Sequence, residues 1–177
     1  MREVLYTYIE EGRLPEVRFL LDRGVPPDAD DGMYDNGNTP FLSAAWYGRV
    51  EILKLLAQRG ADIHAQSISG DAVMHVRYYN ELETLRYLRS LGLGNNPDYS
   101  DTQGNYLLHY AHLAWRSSDV ETREVLLGWA LEQLRGGASM KFRSYSGESI
   151  PWLLIKLNDP ALLEAARDRG LRISESE

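Results

Sequence analysis

His109 and His112 lie one helical turn apart, and side chains at i and i+3 share a helix face from which two imidazoles could reach one zinc ion. A zinc site needs further donors, and none follows at a matching interval. The chain has no cysteine, which removes thiolate ligands, thiolate nucleophiles and disulfides together. Asp28, Asp30, Asp31 and Asp35 crowd one segment in the manner of calcium ligands. An EF-hand loop also needs Gly at its sixth place and Glu at its twelfth, and counted from Asp28 those places hold Met33 and Thr39. Gly92-Leu93-Gly94-Asn95-Asn96-Pro97 is one residue off a dinucleotide-binding fingerprint, but it follows a helical stretch rather than a strand and reads as a helix stop. Neither a Gly-x-Ser-x-Gly elbow nor a phosphate loop occurs. Carboxylates such as Glu10 and Glu11 carry no sequence sign of the apolar pocket that would mark a general acid. The expectation is a protein that is not an enzyme and needs neither metal nor cofactor.

The elements that position the remaining residues are helices. Apolar residues recur at helical spacing as Leu14, Val17 and Leu20, as Val50, Leu53 and Leu56, and as Leu82, Leu85 and Leu88. Each stretch closes on a glycine, Gly24, Gly60 or Gly92, and Gly137 and Gly170 close similar phrases. Four of these glycines stand twelve residues after a Gly or Asn, in the pairs 12/24, 48/60, 80/92 and 158/170, so the element has a fixed length. Pro15 and Pro160 suit a first helical turn, Asp159 is placed to cap, and the closing glycine suits the left-handed C′ position. A second set, Gly37, Gly70, Gly104 and Gly147, heads phrases that read as a turn feeding a shorter helix, at spacings of 33, 34 and 43. Each unit is therefore turn, helix, helix. One such unit cannot bury its apolar face alone, so the units must stack.

Composition agrees with a folded chain. Of 177 residues 44% are hydrophobic and 25% charged, the ordinary globular profile. The longest apolar runs, such as Ile150 to Ile155, fall far short of the roughly 20 residues of a membrane span. The start has one basic residue and meets Glu10 and Glu11 before a signal-peptide core could form, which predicts a cytoplasmic protein. A net charge of −7 opposes nucleic acid and anionic membranes as partners and favours a basic one.

The recurring phrases resemble the ankyrin repeat, a unit of about 33 residues with a β-turn and two antiparallel helices. Thr39-Pro40-Phe41-Leu42 keeps the first half of its Thr-Pro-Leu-His phrase, while Leu108-His109-Tyr110-Ala111 and Met74-His75 keep the second. Gly60-Ala61-Asp62-Ile63 and Gly137-Ala138-Ser139-Met140 look like the stretch that follows the second helix, and Asp101-Thr102-Gln103-Gly104 looks like a hairpin start. The resemblance covers nearly the whole chain and implies an all-α solenoid forming a single domain, with units at about 1–33, 34–66, 67–100, 101–143 and 144–177. The first unit lacks the turn phrase, and the last has Trp152 where His is expected. It also implies that His75 and His109 hydrogen-bond backbone at the turn.

Departures from the period locate the surface. Between Gly24 and Gly37 lie three residues more than between Gly60 and Gly70, and from Asp22 to Asp35 five aspartates face one arginine. Arg135, Lys141, Arg143 and Lys156 make the far end comparatively basic, which predicts a charge gradient. The fourth unit is about ten residues too long, and Ser118-Asp119-Val120-Glu121 resembles a capping box that opens an extended helix with Val120, Glu124, Leu127, Leu131 and Leu134 on neighbouring turns.

In the family, the two residues before the glycine between the helices point onto a concave surface. They correspond to Glu10 and Glu11, Trp46 and Tyr47, Tyr78 and Tyr79, and Trp115 with Arg116. Hairpin residues flank them: Asp35, Asn36 and Asn38, then Ile68 and Asp71, then Thr102, Gln103 and Asn105, with Asp28, Asp30 and Asp31 adding charge. Tyr, Trp and Arg dominate interface hot spots. The resemblance thus implies a monomeric module that binds one protein through aromatic anchors. Its most concrete form is a small inhibitor, such as a bacterial immunity protein or antitoxin neutralising a toxin with a basic surface. The rivals are a scaffold bridging two partners and, less favoured, a hydrolase or metal enzyme.

Overall fold

The helical spacing is realised as antiparallel helix pairs. The computed structural model describes residues 2–30, 37–76, 81–101, 104–144 and 147–172. In chain order the helices are α1 (Arg2–Glu11), α2 (Leu14–Asp22), α3 (Pro40–Trp46), α4 (Val50–Gln58), α5 (Ala72–His75) and α6 (Glu81–Ser90). There follow α7 (Tyr106–Arg116), α8 (Val120–Arg135), α9 (Ile150–Leu157) and α10 (Pro160–Asp168). Two short strands, β1 (Ser100–Asp101) and β2 (Gly104–Asn105), pair antiparallel with Ser100 opposite Asn105. The chain divides into two compact units, Met1–Gly94 and Asn95–Glu177.

In the first unit α1, α3 and α5 pack side by side as one layer. A second layer, α2, α4 and α6, lies against it. Of the apolar stripe that the spacing predicts, Val17 and Leu20, Val50, Leu53 and Leu56, and Leu85 and Leu88 are buried, Leu14 and Leu82 are half-buried, and Leu5 and Ile9 of α1 join the core. Helix α3 has neighbours on both flanks and behind, and Pro40 to Ala45 are all buried in consequence. Ala44 and Ala45 are fully buried, and their size lets the neighbouring helices come close. In the second unit α7 packs on α8 and α9, and α10 packs on α8 and α9. Tyr110, fully buried, meets the Trp129 ring at 5.6 Å, and Tyr99 stacks on Tyr106 at 4.2 Å.

Helix α8 buries Leu126, Ala130, Gln133 and Leu134, whereas Val120 is exposed and Leu127 and Leu131 are half-buried. The apolar face is thus rotated from the one expected from Val120, because Val120 occupies the first turn and faces solvent. Its cap is Asp119, one residue later than the expected capping box: Asp119 Oδ2 accepts the Thr122 N–H at 2.7 Å. Similar caps open α3 (Thr39), α5 (Asp71), α7 (Asn105), α9 (Ser149) and α10 (Asp159). Four of them stand one or two residues after a heading glycine, so the glycine phrase is a turn joined to a cap. Gly37, at φ +72, shows why the turn demands glycine: a Cβ there would lie 2.7 Å from the Gln66 carbonyl oxygen. At the other helix ends, Asn158 takes the left-handed conformation that Gly12 and Gly48 take in earlier pairs.

Arginines tie successive pairs together. Arg49, just before α4, donates from Nε and a terminal nitrogen to the Glu10 carbonyl at the end of α1. Arg169 donates to the carbonyls of Leu134 (3.0 Å), Gly137 (2.8 Å) and Ala138 (2.6 Å), capping α8 where the helix dipole favours a cation.

Arg169→Ala should destabilise the protein by about 1.5 kcal/mol, the lower end for charged hydrogen bonds because the freed carbonyls can reach water. Urea unfolding of the two proteins checks this. Hydrogen bonds from Thr122, the side chain's first and then the backbone's, hold the Asp119 carboxyl below its ordinary value. A carboxyl lowered by folding contributes stability above its unfolded pKa of about 3.9 and loses it as pH falls through the lower folded value. Wild type should therefore lose ground to Asp119→Asn, which keeps a cap without the charge, as the pH falls from about 5 towards 2. Parallel behaviour of the two proteins in urea at stepped pH would refute that role.

Candidate functional site

The last turn of α3 carries the clearest surface feature of the first unit. Trp46 ends the helix and Tyr47 follows as its C-cap, beyond the stretch that its neighbours bury. Trp46 meets His75 edge to face, with ring centroids 6.0 Å apart. His75 Nε2 in turn lies 2.8 Å from the Ser67 hydroxyl. That hydroxyl sits in a tight turn closed by reciprocal backbone hydrogen bonds between Ser67 and Gly70, with Ile68 at its tip, 69% exposed. The buried imidazole therefore links the tryptophan to a projecting turn. Facing them, α1 presents Tyr6 and Glu10, and the Tyr6 hydroxyl lies 2.9 Å from the Ala29 carbonyl and 3.1 Å from that of Asn38. Together these residues line an open cavity of about 320 Å³, with Ser43 and Ser69 adding hydroxyls.

A family model for ankyrin repeats in many copies matches residues 5–57, which take in most of α1, all of α2 and α3 and nearly all of α4. An ankyrin repeat-containing protein of Schizosaccharomyces pombe is 36% identical over 66 residues, 37% of this chain and 30% of that protein. SH3 and multiple ankyrin repeat domains protein 2 of Homo sapiens is 32% identical over 125 residues, 68% of this chain and 6% of that protein. The chain belongs to the ankyrin repeat family. Its fold class is the expected one, all-α, with the helix pairs of the ankyrin repeat. The matches span less than a third of either relative's length.

Of the residues expected on the ankyrin binding face, Glu10, Asn38, Trp46, Tyr47 and Ile68 come together around this cavity. Two others are corrected. Asp71 is buried and caps α5, accepting the N–H groups of Val73 (3.0 Å) and Met74 (3.1 Å). Asn105 is buried and caps α7, accepting the Leu108 N–H at 3.0 Å and donating to the Ser139 carbonyl at 2.8 Å. Both precede a helix whose first N–H groups need an acceptor, and that requirement takes the side chain away from any partner. Asp31, Asp35, Asn36, Tyr78, Tyr79, Thr102 and Gln103 lie outside the described residues.

The acidic segment is partly committed within the chain. Asp28 accepts the Asp62 N–H at 2.9 Å, tying two loops, Asp22 pairs with Arg59 at 2.7 Å, and Asp30 lies 3.8 Å from Arg2. In the second unit Trp115, 38% exposed, meets Trp152 edge to face at 5.4 Å, beside exposed Arg116. Lys156 lies over the Trp152 ring at 5.6 Å. Trp152 is a surface residue that a register alone assigns to the turn; the break from His to Trp was its signal. His109 is buried and His112 packs edge on Trp115. Among the described residues no group of three or more His, Asp or Glu could hold a metal ion. No helix among them is long and apolar enough to cross a membrane.

Asp71→Ala and Asn105→Ala should each lower stability by about 1–2 kcal/mol through loss of a cap. Denaturation midpoints measure that cost. Affinity for a partner, measured at a temperature where both variants are folded, should equal that of wild type.

Proposed function

We propose that this chain is a protein–protein interaction module, the role its ankyrin repeats support, that works without catalysis and binds one protein partner at the Trp46 cavity. The observation that supports this most is a half-buried tryptophan, held by His75, beside Tyr47 and an isoleucine left 69% exposed at a turn tip. Rings fixed by packing lose little entropy on binding, which is why such residues anchor interfaces.

The excess of acidic over basic residues supports a partner with a basic surface. Where that surface is an enzyme's active cleft, occupancy becomes inhibition, as in an immunity protein or antitoxin acting on a toxin in the cytoplasm. Capture of a partner from the source cells by wild type, and its loss with Trp46→Ala, tests the binding site. Titration of a captured enzyme's activity to zero at one equivalent tests inhibition.

Trp46→Ala should weaken partner binding by about 2 kcal/mol, roughly thirtyfold. Trp46→Phe keeps a ring against His75 and should lose much less. If Trp46→Ala lowers the unfolding midpoint but leaves affinity alone, the tryptophan belongs to the fold. Asp30→Lys with Asp31→Lys should slow association, and less so at high salt, because these charges act over a Debye length of about 8 Å near physiological ionic strength. Stopped-flow association rates at stepped salt check the sign.

A further inference from the structure

The cavity beside Trp46 has a more specific chemistry than a generic interface. Its walls are aromatic, from Tyr6, Trp46 and Tyr47, and its rim carries the hydroxyls of Ser43 and Ser69 and the amide of Asn38. Among the described residues Glu10 is the only carboxylate that lines it, and neither lysine nor arginine does. Arg49 approaches Glu10 through the backbone carbonyl, and no ion pair engages the Glu10 side chain among the described residues. An exposed carboxylate is therefore left beside aromatic faces, and both attract a cation. The volume of about 320 Å³ lies at the bottom of the range for small-molecule pockets, about 300–1,000 Å³, and suits one long side chain.

Lysine and arginine differ in what they ask of such a site. A lysine ammonium is a compact, strongly hydrated charge, whereas a guanidinium is planar, stacks on rings and spreads five donors towards acceptors around it. Aromatic walls and several neutral acceptors with one carboxylate match the second. We propose that this cavity receives an arginine side chain of the partner protein, its guanidinium stacked against the aromatic wall and hydrogen-bonded to the Glu10 carboxylate. The assignment rests on the cavity being the partner-binding site, and it names the group that enters.

A random heptapeptide library displayed on phage, selected against the full chain and counter-selected against Trp46→Ala, supplies the test. Peptides that depend on Trp46 should be enriched in arginine. The best of them, made synthetically and titrated by fluorescence anisotropy, should bind Glu10→Gln about tenfold more weakly, and should lose several-fold when its arginine is replaced by lysine. The Glu10 side chain is exposed, so the urea midpoint of Glu10→Gln should match wild type. Trp46-dependent peptides that lack arginine, or that ignore Glu10→Gln, overturn the arginine assignment while leaving the cavity a binding site. A selection without any Trp46-dependent peptide overturns both.

Discussion

Within each unit a helix pair has an apolar face too large for the pair to cover by itself, and the neighbouring pair of the same unit covers it. Helix α3 shows the constraint at its strongest, since α1, α4 and α5 enclose it and six consecutive residues from Pro40 to Ala45 are buried. Phe41 and Leu42 fill the core at the start of the helix, and close approach on both flanks favours small side chains after them, at Ser43, Ala44 and Ala45. Only past the enclosed stretch can a bulky residue stand out. Trp46 and Tyr47 occupy that place, so the packing that favours small residues in the middle of α3 also determines where its aromatic surface begins.

A second requirement follows from short helices. Ends come often, each leaves N–H and C=O groups without intrahelical partners, and these must be met locally. Thr39, Asp71, Asn105, Asp119, Ser149 and Asp159 meet the amino ends, while Arg169 meets a carboxyl end from the neighbouring pair. Polar residues in the turns are therefore already in use by the fold. That is why Asp71 and Asn105, polar and next to a turn, are buried as caps, and why Asp28 serves a neighbouring loop as well as the surface.

The helical part of the fold was legible because its signals are periodic: Leu53, Leu56, Leu85 and Leu88 repeat at helical intervals, and Gly24, Gly60 and Gly92 mark the ends. Half of the cavity was legible too, since Glu10, Trp46, Tyr47, Asn38 and Ile68 sit at register positions. The other half was not, because Tyr6, Ser43, Ser67 and His75 enter through contacts between pairs. A period says which residues share a face; it does not say which side chains meet across it. Helix α8 failed for a related reason, since its first residue faces water and cannot set the phase of the buried stripe.

Charge behaves differently from packing because it is compensated locally. The five aspartates between Asp22 and Asp35 suggest a strongly acidic end, yet Asp22 and Asp30 each have an arginine nearby. Residues 1–94 carry 10 basic and 14 acidic side chains, and residues 95–177 carry 9 and 12, so the expected gradient is shallow when each unit is taken whole. A partner some distance away senses the sum, which differs little between the units. A partner at contact senses individual groups, and on the proposed reading Glu10, engaged by no ion pair among the described residues, then outweighs its single charge beside the aromatic rings. On the proposed reading, specificity in the first unit is a property of the cavity's immediate lining, and the aspartates act mainly on the rate of encounter.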